Sequence, residues 1–116
     1  MPAVAARHRG AERLLDQIRS IFDLSESELA DVLGVRRQSV AEWREHGVPA
    51  QRMATLEHVA GLARKLRDEL MPSHIPEIVR RKDSWLNHKS ILDTIAHDGI
   101  DPVYAYLHRL FTYRGA

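Results

Sequence analysis

Ser25-Glu26-Ser27-Glu28-Leu29-Ala30-Asp31-Val32-Leu33-Gly34-Val35-Arg36-Arg37-Gln38-Ser39-Val40-Ala41-Glu42-Trp43 is the stretch that decides the fold of this chain. It reads as one short helix, a glycine turn and a second short helix opening with Arg36-Arg37-Gln38-Ser39. Ser25, with Glu28 three residues later, forms a capping box: each side chain accepts a backbone N–H that a first helical turn leaves unpaired. Ala30 is small where two helices cross closely, and Gly34 takes the positive φ that a tight turn requires. Leu29, Leu33, Val35, Val40 and Trp43 recur at spacings that bury one side of each helix. This is the pattern of a helix-turn-helix, the unit that lays its second helix in a DNA major groove. On that reading Arg36, Arg37, Gln38 and Ser39 open the recognition helix and meet base edges, where Gln reads adenine and Arg reads guanine. Glu42, one turn beyond Gln38, either accepts from cytosine or repels the backbone. Arg44 and Arg52 flank the helix and are expected beside phosphates.

Outward from this stretch the chain reads as helix on both sides, which makes the fold class all-α. Upstream, Ala11, Leu14, Leu15, Ile18, Ile21 and Phe22 lie at helical spacing and predict a first helix packed behind the helix-turn-helix. Downstream, Ala50 to Leu70 predicts a long helix with Met53, Leu56, Val59, Ala60, Ala63, Leu66 and Leu70 on one side. Met71-Pro72-Ser73-His74-Ile75-Pro76 breaks it, and divides the chain into residues 1–71 and 76–116. In the second part Pro76 suits the first turn of a helix carrying Ile78 and Val79, followed by the cations Arg80-Arg81-Lys82 and the apolar pair Trp85-Leu86. Ile91, Leu92 and Ile95 mark a short helix stopped at Gly99. Asp101-Pro102 opens a last helix with Val103, Tyr106, Leu107, Leu110 and Phe111 on one side. So many apolar residues in some forty positions require cover from the first part, a second copy or another protein.

Composition narrows the function. The 116 residues contain no cysteine, which excludes a disulfide framework and a thiolate metal site. The seven histidines show no paired spacing with carboxylates, so neither a metal nor any other cofactor is expected. No phosphate loop and no nucleophile with a nearby base stands in a recognisable frame, so the chain does not read as an enzyme. The start Met1-Pro2-Ala3-Val4-Ala5-Ala6-Arg7-His8-Arg9 has too short an apolar run for a leader or membrane span, and a cytoplasmic location is expected. Lys and Arg number 17 against 16 Asp and Glu, and up to His58 eight cations face nine anions. Phosphate neutralisation supplies most DNA affinity, so operator binding requires two or more copies of the chain.

The helix-turn-helix, with the exit His46-Gly47-Val48-Pro49-Ala50, resembles that of the Xre/Cro regulators. A second likeness spans nearly the whole chain. A helix-turn-helix followed by Trp85-Leu86, the short helix Ile91-Leu92-Asp93-Thr94-Ile95-Ala96-His97-Asp98-Gly99 and a final helix through Val103, Leu107 and Leu110 resembles the Xre/MbcA/ParS antitoxins. Those are partners of RES-domain toxins, which consume NAD. The resemblance implies that residues 76–116 bind such a toxin and obstruct its NAD pocket. Trp85, Leu86, Tyr104, Leu107, Phe111, Tyr113 and Arg114 are the implied contact residues, with Arg114 on a tail that reaches the pocket. It also implies operator binding by a homo-oligomer or a toxin–antitoxin hetero-oligomer. In that family's regulators a phosphate-binding Gln commonly stands where this chain has Glu26. The alternative is a free-standing repressor whose C-terminal helices dimerise it.

Overall fold

The reciprocal capping predicted at Ser25 forms: Ser25 Oγ accepts from the Glu28 N–H at 3.1 Å, and Glu28 Oε1 accepts from the Ser25 N–H at 3.0 Å. In the computed structural model, which describes the backbone of residues 2–115 and the side chains of residues 9–112, this box starts the second of seven α-helices. They are α1 (Pro2–Phe22), α2 (Glu26–Val32), α3 (Arg37–His46), α4 (Ala50–Glu69), α5 (Ile75–Arg80), α6 (Ile91–Asp98) and α7 (Asp101–Gly115). Among the described residues there is no strand, only an isolated antiparallel bridge between Asp83 and Lys89, so the protein is all-α.

The turn between α2 and α3 rests on Gly34, whose φ of 70° lies in the left-handed region that favours glycine. It lets the Val35 N–H donate back to the Ala30 carbonyl at 2.9 Å. Gly47 (φ 96°) closes α3, its N–H donating to the Trp43 carbonyl at 2.8 Å. Leu29, Ala30, Leu33, Val40 and Trp43 are buried and Val35 is half-buried. Behind this pair, α1 buries Ala11, Leu15, Ile18 and Phe22 and lies along α4. Helix α4 buries Leu56, Val59, Ala60, Ala63 and Leu66 as its periodicity predicts, and Leu62 besides. Helix α7 also approaches α4: a Cβ on Gly61 would lie 4.0 Å from the Tyr104 hydroxyl.

The proline segment breaks the chain where expected, through a single 3-10 turn at Pro72–His74 that runs directly into α5. Residues beyond it do not form a core of their own. Ile75 and Val79 of α5, Ile91, Leu92 and Ile95 of α6, and Val103 and Leu107 of α7 join one buried cluster that starts at Ala11. Of the three covers open to the apolar surface of residues 76–116, the first part of the chain supplies this one. Helix α5 packs on α1, and α6 on α2.

Arg80 ties the two parts together. Asp23, at φ 56°, turns the chain out of α1 and leaves the last carbonyls of that helix without helical partners. The Arg80 guanidinium donates to two carbonyls there, Phe22 at 2.8 Å and Asp23 at 2.6 Å, and to Glu28 Oε2 at 3.4 Å. A cation at the negative end of a helix is favourable in both charge and hydrogen bonding. Glu28 is held below the usual glutamate range, chiefly by the Ser25 backbone bond, with Arg80 adding to it.

Candidate functional site

Helix α3 has two sides. Val40 and Trp43 point into the core, while Arg37, Gln38, Ala41, Glu42 and Glu45 face outward. Arg36 caps the helix by backbone alone and is also exposed. Ser39 is half-buried, and Arg52 is exposed in the first turns of α4. This brings Arg36, Arg37, Gln38 and Glu42 onto one outward edge.

Arg44 does not join that edge. Its Nε donates to Glu26 Oε1 at 2.6 Å, its Nη2 to Glu26 Oε2 at 3.2 Å and its Nη1 to Asp16 Oδ1 at 2.8 Å, with Glu12 at 4.0 Å. The expectation of a phosphate contact at Arg44 is therefore corrected: the paired geometry of guanidinium and carboxylate commits it to fastening α3 onto α2 and α1. The bond from Arg44 also holds Glu26 below the usual glutamate range, against the opposing effect of burial. Glu26, a residue of unfavourable charge for a phosphate contact, acts here as the anchor of the second helix.

A second outward site lies across the chain. Asp83 and Lys89 close a small loop: the Asp83 N–H donates to the Lys89 carbonyl at 3.1 Å and the His88 N–H to the Asp83 carbonyl at 2.9 Å. Asn87 (φ 56°) and His88 (φ 64°) both take left-handed backbone to complete it, a conformation that Asn tolerates better than His. The Asp83 carboxylate is fully used inside the structure. Its Oδ1 accepts from the Trp85 N–H at 2.8 Å and its Oδ2 from the Tyr106 hydroxyl at 3.0 Å. Burial first, and this bond second, push the Tyr106 phenol above its ordinary value.

The loop displays Trp85 with 47% of its surface exposed, while the next residue, Leu86, sinks into the core. The Tyr106 ring meets Trp85 edge-on, with centroids 6.1 Å apart and planes at 80°. On α7, Arg109 places its guanidinium carbon 4.4 Å from the Trp85 ring centroid, a cation–π contact.

The expected toxin contacts divide accordingly. Trp85 and Tyr104 (36% exposed) are on the surface, and Phe111 is half-buried. Leu86 and Leu107 are corrected to core residues, because both are buried in the common apolar cluster, where the turn at Ser84–Leu86 packs on α7 and α7 on α6. The side chains of Tyr113 and Arg114 lie outside the described residues. Tyr104 and Phe111, with Lys65, Glu69, His108 and Thr112, line an open groove of about 560 Å³ between α4 and α7.

Three important residues escaped the sequence reading. Arg80 read only as one of the cationic run Arg80-Arg81-Lys82, and neither Asp83 nor Arg109 was singled out. Only Arg109 left a local trace, three residues after Tyr106 and hence on the same helical face. Among the described residues no group of histidines and carboxylates could hold a metal ion, and no helix is long and apolar enough to cross a membrane. No protein-family model, curated protein or solved structure matches the chain.

Proposed function

We propose that this chain is the antitoxin of a type II toxin–antitoxin pair. Its C-terminal part binds a RES-type, NAD-degrading toxin and obstructs the active site, and its α3 edge binds the operator of its own operon. It performs no chemistry. The observation that carries the reading is the presentation of Trp85, an indole held on the surface by a built loop instead of being buried. Tryptophan and arginine are the side chains most enriched at interface hot spots. The α3 edge supports the second role: Arg36, Arg37 and Gln38 make no side-chain hydrogen bond to any described residue, so their donors remain available to base edges and phosphates. With a formal charge of +1 over the chain, several copies gathered by the toxin are required for tight operator binding.

The test is co-purification with the RES-domain product of the adjacent gene, followed by an assay of NAD consumption. A stable complex in which this chain suppresses NAD loss supports the proposal, and absence of a complex contradicts it. A second reading, a free-standing repressor dimerised by its C-terminal helices, draws support from the Tyr104–Phe111 groove. It predicts a dimer that shifts its promoter fragment alone and becomes monomeric on Tyr104→Glu substitution.

A further inference from the structure

We propose that the Trp85–Arg109 pair is the recognition point for an acidic segment of the partner protein: a partner carboxylate pairs with the Arg109 guanidinium while a neighbouring apolar side chain covers the indole. The inference rests on the reading of residues 76–116 as the partner-binding part, and it assigns the chemistry of the contact.

Three observations carry it. The first is that Arg109 engages the Trp85 ring but no carboxylate among the described residues. A guanidinium held over a ring keeps N–H donors for an outside acceptor, in an orientation suited to a planar carboxylate. The second is that the carboxylates near the loop are already committed. Asp83 uses both oxygens on Trp85 and Tyr106, Glu77 pairs with Arg81 at 3.1 Å, and Asp98 pairs with Lys89 at 2.8 Å. Lys82, exposed three residues before Trp85, forms no ion pair with a described residue. Arg109 and Lys82 therefore remain cations without an ion pair among the described residues. The third is that the site is rigid before binding, because the 83–89 bridge and the Asp83 bonds fix the loop, which lowers the ordering cost of association.

A nucleic acid is the less suitable occupant. Its affinity grows with the number of phosphates neutralised, and two unpaired cations supply little. Single strands also favour several exposed rings in series, whereas here Tyr106, which packs edge-on against Trp85, is itself half-buried.

The experiment titrates the full-length chain with the adjacent RES-domain protein at low and high salt, comparing wild type with Arg109→Lys, Arg109→Gln, Arg109→Glu and Trp85→Phe. Arg109 is exposed on α7, so its variants fold, which thermal melts verify. Expected are weakening by about tenfold for Arg109→Lys and about a hundredfold or more for Arg109→Glu, with a reduced salt dependence for Arg109→Gln. If wild type binds and Arg109→Glu binds equally well, this inference is overturned while the antitoxin reading stands. If wild type does not bind, the antitoxin reading fails, and the patch is probed with a synthetic Glu-rich peptide. Quenching of the emission that Trp85→Phe removes, absent in Arg109→Gln, then supports the acidic-partner chemistry, and no quenching overturns it. Competition by a duplex or single-stranded oligonucleotide for the same signal overturns it in favour of nucleic acid.

Discussion

Trp43 and Trp85 are the two tryptophans of the chain, and the fold places them in opposite environments. Trp43 is 8% exposed and anchors the inner side of α3; Trp85 is 47% exposed and is held outward by a loop closed on itself. The arginines around them divide in the same way. Near Trp43, Arg44 is consumed by Glu26 and Asp16, so the inner part of α3 is fixed and its outer edge left open. Near Trp85, the carboxylate is consumed and the arginine remains available. The difference teaches that residue type does not assign role in this chain. What separates scaffold from surface is whether the neighbouring charges are already satisfied within the fold.

The comparison breaks most directly on the tryptophans themselves. Trp43→Ala is expected to cost about 3–5 kcal/mol of stability in urea unfolding, as truncation of a buried aromatic does. Trp85→Ala is expected to cost under about 1 kcal/mol. Equal losses would mean that both are structural. Next in size is Arg80→Ala, which leaves the Phe22 and Asp23 carbonyls without their cation. A loss of about 1–3 kcal/mol is expected, with faster amide exchange in α5 than in α3.

Arg44→Ala sharpens the same contrast. A smaller loss of about 1 kcal/mol is expected for this partly exposed network, shrinking as salt rises. It also alters the response to acid. Glu26 and Glu28 have folded pKa values below their ordinary ones. In that window the folded state holds fewer protons than the unfolded state, so their stabilising contribution is complete above the ordinary glutamate range. It is lost as pH falls through the folded values. Unfolding midpoints followed through mild acid should therefore drop for wild type and drop less steeply for Arg44→Ala. The smallest effect on stability belongs to the double variant Arg37→Ala, Gln38→Ala. Within about 0.5 kcal/mol of wild type in unfolding, it is expected to lose at least roughly tenfold in affinity for the promoter fragment.

Local features of the fold were legible in the sequence because their causes are local. The Ser25–Glu28 box, the left-handed Gly34, the proline break after Met71 and the Gly99 end of α6 each depend on a few adjacent residues. Helical periodicity located most of the core for the same reason. Pairings across the chain left no such trace. Arg44 meets Glu26 from 18 residues away, and Arg80 meets the Phe22 carbonyl from 58. Both read as surface cations until the helices are packed. Leu86 and Leu107 were placed on a binding surface because apolar residues look alike before it is known which are buried when the helices pack. Trp85 and Leu86 read alike as an apolar pair, and only the Asp83 loop separates them, leaving Trp85 exposed and Leu86 buried.

The most direct test of two separate binding faces is light scattering on size-exclusion chromatography of the chain with the RES-domain protein and the promoter fragment together. The account predicts a single ternary species, with Trp85→Ala removing the protein and the Arg37, Gln38 double variant removing the DNA. Mutual exclusion of the two partners, or loss of both in either variant, would contradict it.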